Sequence, residues 1–441
     1  MNAVHEPWAV TADTQVLRFI TAGSVDDGKS TLIGRLLFDS KGVFADQLEA
    51  ISRSKYKRVQ ADEPDLALLT DGLEAEREQG ITIDVAYRYF ATPQRKFIVA
   101  DAPGHEQYTR NMVTGASTAQ AAIILVDASK AQDGELLVQT RRHSTLAALL
   151  GIRHIIVAVN KMDLLGWDQK VFERIRESYA KLAQKVGIKD FHVIPISALK
   201  GDNVVVRSDN TPWYQGPSLL SLLEQLPVAE QGIDGPARLF VQWVIRHGGE
   251  SQEDFRGYAG QLASGTLNVG EEIRVLPSGN VARVARLVTF DRDIPRAQAG
   301  DSVTVVLDRD IDVSRGDLIV NAGQSVRVAN SFDAEICWLD QEALNPARQY
   351  WLKQGTRLTK VRIRTVHAKR DIHELRETST TERPDAEARA VQQLAMNDIG
   401  RVSLQTRDAL ALDSYAEVAS TGSFILIDPA SHQTAAAGMV L

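Results

Sequence analysis

The stretch Gly23-Ser24-Val25-Asp26-Asp27-Gly28-Lys29-Ser30 decides the fold of the first half of this chain. It lies between an apolar run, Val16 to Ala22, and an amphipathic run, Thr31 to Phe38, an order that predicts a strand, a loop and a helix start. Glycines let such a loop turn tightly and direct its N–H groups at phosphates, and the helix N-terminus adds partial positive charge. In this pattern Lys29 reaches the β and γ phosphates and the Ser30 hydroxyl binds Mg²⁺. The stretch therefore predicts a phosphate-binding loop.

Composition narrows the classes of protein that the chain can belong to. The formal charge of −7 and the pI of about 5.8 argue against a mainly electrostatic partner of nucleic acid, whose binding domain is usually basic. The single cysteine, Cys337, excludes an internal disulfide framework and fits a reducing compartment. Because no apolar stretch approaches ~18 residues, no membrane partner is expected. We predict a soluble cytoplasmic protein.

Hydrophobic patterning and a segment rich in glycine and proline divide the chain into three predicted domains. From Val16 to about Leu226 strand-like and helix-like runs alternate, which predicts a mostly parallel sheet with helices on both faces. Pro227 to Pro236 is rich in glycine and proline and is typical of a linker. Beyond it short strands alternate with turn signals, which favours two small β-barrels. The predicted limits are 1–230, 235–323 and 326–441.

In the first domain the polar motifs follow segments that are predicted to be strands. The predicted strands are Lys96 to Ala100, Ala121 to Val126, Ile155 to Val159 and His192 to Ile196, and the predicted helices include Leu136 to Leu150 and Val171 to Val186. In such sheets ligands bind beyond the carboxyl ends of the strands. Motifs directly after strands therefore carry the most weight.

Asp101-Ala102-Pro103-Gly104-His105 follows one of these strands. An acidic residue at that strand end, Asp101, is placed to hold Mg²⁺ through water, and Gly104 can offer its N–H to the γ-phosphate. His105 directly follows that glycine, so we predict that it orients the attacking water. On its own the motif indicates only a turn, and its position after a phosphate loop favours the catalytic interpretation.

Two further motifs follow the later strands and predict the base. After Val159 comes Asn160-Lys161-Met162-Asp163, and after Ile196 comes Ser197-Ala198-Leu199. The carboxylate of Asp163 can accept hydrogen bonds from both N1–H and the amine of guanine, a donor pair that adenine lacks. Asn160 can brace the loop and contact the base edge, Lys161 can lie along the base plane, and the N–H of Ala198 can meet the guanine carbonyl oxygen. These motifs predict an α/β P-loop GTPase domain followed by two small β-barrel domains.

A long charged stretch, Asp39 to Gly80, separates the phosphate loop from Asp101. It leads into Thr82, whose hydroxyl could complete the Mg²⁺ shell while its backbone senses the γ-phosphate. We predict that this segment is a switch that orders with GTP. The predicted metal ligands are Ser30, Thr82 and Asp101, and the predicted catalytic residues are Lys29, Thr82 and His105. The predicted contacts with GTP and Mg²⁺ are Gly23, Ser24, Val25, Asp26, Asp27, Gly28, Lys29, Ser30, Thr31, Asp101, Ala102, Pro103, Gly104, His105, Asn160, Lys161, Met162, Asp163, Ser197, Ala198 and Leu199.

Near the C-terminus, Lys360-Val361-Arg362-Ile363-Arg364 alternates basic and apolar side chains. The alternation places the basic side chains on one face of a strand. Two interpretations stay open: a barrel strand with a solvated outer face, which is favoured, and a docking surface for an acidic partner or RNA.

The order of the five motifs and the two trailing β-domains resembles the translation-factor class of GTPases, of which elongation factor Tu is the best-known member. That factor usually carries histidine at the positions of Ser24 and Asp27, and threonine at that of Ser30. The run Gly23 to Leu37 instead resembles the GTPase subunits of bacterial sulfate adenylyltransferases. Arg110-Asn111-Met112-Val113-Thr114-Gly115-Ala116-Ser117 and Asn397-Asp398-Ile399-Gly400-Arg401 carry the same resemblance.

The resemblance implies a partner and a coupled reaction. It implies a small catalytic adenylyltransferase subunit that joins ATP and sulfate into adenosine 5′-phosphosulfate and pyrophosphate, driven by GTP hydrolysis on the present chain. Some relatives carry a fused adenylylsulfate kinase; none follows the β-domains here, so kinase activity is not expected. The alternatives are an elongation factor-type GTPase that binds aminoacyl-tRNA, and a GTP-dependent scaffold.

Overall fold

The structure is a computed structural model that describes residues 16–40, 66–69, 82, 84–105, 108–227, 235–247, 255–371, 377–379 and 393–441. The described residues before position 229 form one compact unit, and those from 235 onward form a second. Most of the predicted linker lies outside the described residues. Within the described ranges, no helix combines the length and the apolar character needed to cross a bilayer.

The first unit is built on one sheet. Its strands are β1 Val16–Ala22, β2 Ala86–Ala91, β3 Lys96–Asp101, β4 Ala121–Asp127, β5 His154–Asn160 and β6 Phe191–Pro195. Their order is β2-β3-β1-β4-β5-β6, and every neighbouring pair is parallel except β2 with β3. The mostly parallel sheet predicted from the alternating pattern is confirmed.

Helices follow the strands in this unit. They are α1 Lys29–Asp39, α2 Thr109–Ala116, α3 Val138–Leu149, α4 Gln169–Val186 and α5 Leu219–Gln225, with 3₁₀ turns at Leu66–Leu69 and Met162–Leu165. The sequence specifies α4 most clearly: Asp168 caps its first turn by accepting from the Lys170 N–H at 2.8 Å. Gly187 ends it with a φ of 82°, a left-handed conformation that favours glycine.

Both faces of the sheet are covered, as predicted. Leu32 and Leu36 of α1 share one buried cluster with Ile123 and Leu125 of β4. Successive strand residues point to opposite faces. On the other face lies α2, where a Cβ on Gly115 would come within 3.1 Å of the Ile20 side chain. The carboxyl ends of the parallel strands therefore lie at one edge of the sheet, where the phosphate loop and the motifs that follow β3, β5 and β6 meet.

The second unit begins with a β-barrel. Its strands are β7 Arg238–Phe240, β8 Trp243–His247, β9 Phe255–Ser264, β10 Thr266–Asn268, β11 Glu272–Leu276, β12 Val281–Val288, β13 Asp293–Ile294, β14 Arg296–Gln298, β15 Ser302–Leu307 and β16 Leu318–Asn321. Six of them form the ring β11-β16-β7-β9-β15-β12, which pairing of β11 with β12 closes. Side chains such as Leu262, Ile273 and Val305 fill its interior.

A second barrel follows in the same unit. Its elements are β17 Arg327–Trp338, β18 Tyr350–Gln354, β19 Arg357–Arg370, β20 Glu377–Ser379, β21 Ile399–Leu412, α6 Ala419–Gly422, β22 Ser423–Ile427 and β23 Thr434–Val440. The ring β18-β22-β23-β17-β21-β19 is closed by pairing of β18 with β19. The two predicted barrels are thus confirmed, while the domain limits given above stay predictions.

A buried ion pair joins the two barrels. Arg238 of β7 is 2 % exposed and donates to both carboxylate oxygens of Asp413, at 2.8 and 2.9 Å. Its remaining nitrogen donates to the carbonyl of Ala237 and to the amide oxygen of Gln324. Burial alone would raise the pKa of Asp413, but hydrogen bonds from Arg238 and Thr421 hold it below its ordinary value.

The basic strand near the C-terminus is β19. Val361 and Ile363 are buried in the barrel core, while Arg362 and Arg364 are exposed. Lys360 lies over the ring of Trp351 at 5.5 Å. The single basic face is present, and both interpretations stay open: the favoured one, a solvated outer face of the barrel, and docking of an acidic partner or RNA.

Candidate functional site

The phosphate loop connects β1 to α1 and turns into the helix at Gly28. Gly28 precedes the helix with a φ of 93°, and a Cβ there would lie 2.4 Å from Nδ2 of Asn160. Only glycine permits this approach, because both the backbone angle and the space exclude a side chain. Lys29 is buried, and its ammonium donates to the carbonyls of Gly23 at 3.2 Å and Ser24 at 2.7 Å. The loop therefore curls around a buried positive charge.

The three predicted metal ligands lie together. The hydroxyl of Ser30 donates to Asp101 Oδ2 at 2.9 Å and lies 3.4 Å from the hydroxyl of Thr82. Thr21, which sequence reasoning missed, donates to the other oxygen of Asp101 at 3.2 Å and so fixes the carboxylate. Position at a strand end near the loop was the available signal for Thr21. Apart from Thr82 and a few other positions, the predicted switch segment lies outside the described residues.

Gly104 and His105 differ in their surroundings. A Cβ on Gly104 would lie 2.5 Å from the ammonium of Lys29, so this glycine faces the phosphate loop. His105 is exposed, and its ring centroid lies 6.0 Å from that of Tyr108. The water-orienting role of His105 stays a prediction. Ala102 is fully buried.

Asn160 ties the base motif to the phosphate loop. Its Nδ2 donates to the carbonyl of Asp27 at 2.8 Å, and its Oδ1 accepts from the N–H of Ala198 at 2.9 Å. Its backbone also holds the end of β5 beside Asp127 of β4. The bracing contact expected of Asn160 is present. Contact of the Ala198 N–H with a guanine carbonyl stays a prediction.

Asp163 lies at the mouth of the site. Its side chain is 8 % exposed, and its Oδ2 lies 3.3 Å from the ammonium of Lys200. Leu164 and Leu199 beside it expose apolar surface, a feature that suits contact with a flat base. Arg35 of α1 donates to the carbonyls of Ala198 and Leu199. It therefore links the helix that follows the phosphate loop to the motif that follows β6. No pattern in the sequence indicated a role for Arg35.

Within the described residues, these segments surround a cavity of about 330 Å³. Its lining consists of Val25, Asp26, Gly28, Lys29, Ser30, Thr31, Ala67, Thr82, Gly104, Asn160, Lys161, Asp163, Leu164, Ser197, Ala198 and Leu199. Other predicted contacts do not line it: Gly23, Ser24, Asp27, Asp101, Ala102, Pro103, His105 and Met162. The structure therefore brings all five motifs together at one cavity, although several of their residues do not line it.

Asp27 is a buried carboxyl group within the phosphate loop. Its Oδ2 accepts a hydrogen bond from the N–H of Ser24 at 2.6 Å, and its buried Oδ1 has no hydrogen-bond partner among the described residues. Burial raises its pKa to about 6, although Lys29 opposes this shift. Burial likewise lowers the pKa of Lys29, against the attraction of Asp101 and Asp27.

A phosphate loop, a carboxylate at the end of β3, an Asn-Lys-x-Asp motif that begins at the end of β5 and two trailing barrels define a P-loop GTPase of the translation-factor class. Residues 14–231 match the model of the elongation factor Tu GTP binding domain, and residues 331–441 match that of the GTP-eEF1A C-terminal domain-like family. The chain belongs to the family of sulfate adenylyltransferase subunit 1.

The family assignment rests on relatives that match nearly the whole chain. Sulfate adenylyltransferase subunit 1 of Aeromonas hydrophila is 50% identical over 97% of this chain and 86% of its own length. The bifunctional enzyme CysN/CysC of Mycobacterium tuberculosis is 52% identical over 97% of this chain and 67% of its own length. The GTP-bound Ski7 GTPase-like domain of S. cerevisiae shares only the fold, with 16% identity, 97% coverage of both chains and a TM-score of 0.52. The name of the Aeromonas relative, subunit 1, implies a partner subunit.

Proposed function

We propose that this chain is the GTP-hydrolysing subunit of a two-subunit sulfate adenylyltransferase. GTP hydrolysis here drives formation of adenosine 5′-phosphosulfate from ATP and sulfate on a separate catalytic subunit, the first step of sulfate assimilation. The observation that carries the proposal is the convergence of five motifs from distant parts of the chain on one cavity. Membership of the subunit 1 family gives the reaction that this cavity serves.

The chain's own residues account for nucleotide binding. The buried ammonium of Lys29 is positioned by two loop carbonyls and can exchange these for phosphate oxygens, which are stronger acceptors. N–H groups at the start of α1 face the same place. At the other end of the cavity, Asp163 supplies the acceptor pair that selects guanine. The cavity thus has a phosphate end and a base end.

The residues also fit Mg²⁺. This ion prefers oxygen ligands and retains several waters, so it needs few protein groups. Ser30, Thr82 and Asp101 offer two hydroxyls and one carboxylate, and the Ser30 hydroxyl lies within hydrogen-bond distance of both the Thr82 hydroxyl and the Asp101 carboxylate. When bound, the ion neutralises charge on the β and γ phosphates. Among the described residues no cluster of three or more His, Cys, Asp or Glu side chains offers a rival metal site.

Hydrolysis at such a site depends on positioning and on charge stabilisation. We assign Lys29 to stabilising the transferred phosphoryl group and His105 to orienting water. The exposure of His105 is consistent with a slow rate for the isolated subunit, because a partner has to order the site. We infer that the partner is a small catalytic subunit, in a heterodimer or a larger assembly in the cytoplasm.

The test is GTP turnover by the purified chain, measured alone and then with the small adenylyltransferase subunit, ATP and sulfate. We expect the mixture to increase turnover at least about tenfold and to release adenosine 5′-phosphosulfate only when GTP is present. The Lys29→Ala variant, carried through the same purification, is the matched control. It should neither hydrolyse GTP nor support the release of adenosine 5′-phosphosulfate. Stimulation by ribosomes but not by this mixture would overturn the proposal in favour of a translation factor.

A further inference from the structure

The carboxylate of Asp127 at the end of β4 is almost completely buried, and both of its oxygens accept hydrogen bonds. Its side chain is 1 % exposed. Oδ1 accepts from the N–H of Ser129 at 2.9 Å and from its hydroxyl at 2.6 Å, while Oδ2 accepts from the ammonium of Lys161 at 2.8 Å. The two oxygens therefore serve different partners. Ser129 belongs to the turn after β4, and Lys161 belongs to the base motif.

Lys161 occupies an unusual backbone position. Its φ is 64°, in the left-handed region that most non-glycine residues avoid, and it links β5 to the 3₁₀ turn that carries Asp163. Its side chain runs along the cavity wall before reaching Asp127. A lysine has four flexible carbons, so fixing its ammonium in one place costs conformational entropy, which a bond to a buried charge can offset.

A second lysine connects the same carboxylate to the phosphate loop. The ammonium of Lys130 lies 4.0 Å from Asp127 Oδ2 and donates to the carbonyl of Val25 at 3.4 Å. Asp127 is thus in contact with the base motif and, through Lys130, with the phosphate loop. Burial alone would raise the pKa of Asp127, but the hydrogen bonds from Lys161 and Ser129 hold it low, so the group is ionised at neutral pH.

We propose that Asp127 is a positioning residue for nucleotide binding: it holds Lys161 against the wall of the cavity, where the stem of that lysine covers the plane of the base. This inference rests on the proposed function, because it takes the occupant of the cavity to be a guanine nucleotide. Asp127 acts only through Lys161 and does not contact the nucleotide. Its removal should therefore weaken binding without slowing hydrolysis at saturation.

The test compares Asp127→Asn with Ser129→Ala by calorimetric titration of GDP and by steady-state GTP hydrolysis. Asparagine keeps one acceptor oxygen for Ser129 but turns an NH₂ group toward Lys161, so it removes one contact selectively. We expect the Kd for GDP and the KM for GTP to rise about tenfold, with kcat within about twofold of wild type. Ser129→Ala, which leaves the Lys161 contact in place, should stay within about twofold in all three quantities.

A double-mutant cycle separates positioning from a general structural effect. Combining Asp127→Asn with Lys161→Met should cost no more affinity than Lys161→Met alone, because both changes remove the same contact. Additive losses, or wild-type GDP affinity in Asp127→Asn, would overturn the inference. If Asp127→Asn does not fold, Lys161→Met alone carries the test: its Kd for GDP should rise about tenfold with kcat within about twofold of wild type, and wild-type GDP affinity in Lys161→Met would overturn the inference. Failure of the wild-type chain to bind GDP would instead refute the proposed function.

Discussion

Replacement of Asp163 by Asn separates guanine recognition from folding. Among the described residues Asp163 pairs with Lys200, whose side chain is 62% exposed, and a pair that is open to solvent on one side contributes about 1 kcal/mol or less. The free energy of unfolding should therefore change by less than about 1 kcal/mol. Binding should change far more, because asparagine loses one charge-assisted hydrogen bond, about 1.5–3 kcal/mol, and opposes a guanine donor with its own NH₂ group, about 1–3 kcal/mol.

Together these losses amount to about 2.5–6 kcal/mol, a fall in GDP affinity of between about sixtyfold and about twenty-thousandfold. Xanthine carries a carbonyl where guanine carries its amine, so the NH₂ group of Asn regains a partner and XDP should bind the variant more tightly than GDP. Calorimetric titration of both nucleotides measures the exchange, and thermal unfolding checks the fold. Lys200→Met, which keeps the carboxylate, is the matched control and should bind GDP within about threefold of wild type. GDP affinity within threefold of wild type in Asp163→Asn would refute the assignment.

Four other predictions concern single side chains. Lys29→Ala should weaken GDP binding about a hundredfold in a fluorescent-nucleotide titration, because a buried ammonium is lost from the phosphate end; unchanged affinity would show that the loop does not hold phosphate. His105→Ala should lower kcat for GTP at least about tenfold while GDP affinity stays within about twofold, and equal losses in both would remove its role with water. Arg238→Met should reduce the free energy of unfolding, measured by urea titration, by about 3–5 kcal/mol, because it leaves the buried carboxylate of Asp413 without its cationic partner. A loss below about 1 kcal/mol would contradict this. Because burial raises the pKa of Asp27 from 3.8 to about 6, its contribution to stability is fully present below pH 3.8 and is lost as the pH rises through about 6. The stability of wild type relative to Asp27→Asn should accordingly fall by up to about 3 kcal/mol between about pH 4 and pH 7, and a flat difference would show that Asp27 titrates normally.

The sheet and its helices were predictable because their signals are local. The run Ala121–Asp127 is apolar almost throughout, and it forms a strand in which every residue is buried. The amphipathic run that became α4 carries its own cap and its own terminating glycine. Phosphate loops and strand-end motifs are also local, since their chemistry depends on a few adjacent residues. Fold class and the identity of the candidate site therefore follow from short windows of sequence.

Long-range partners were not predictable in the same way. Thr21, Arg35 and Asp127 each contact a predicted site residue that lies at least 34 positions away in the chain. A spacing of that size carries no periodic signal, because loop closure brings distant residues together without leaving a pattern between them. Asp127 did share one property with Asp101, its place as an acidic residue at the end of an apolar run, and that criterion could have found it.

By itself the sequence determined which segments become strands and helices and where the phosphate loop lies, because each of these depends on neighbouring residues. Only the tertiary structure decided which predicted residues line the cavity and which stand behind it. It also decided which buried charges are paired: Lys161 with Asp127, and Arg238 with Asp413. Those outcomes depend on packing between segments that are far apart in the chain, and the energy of a buried charge is set by the partner that packing supplies.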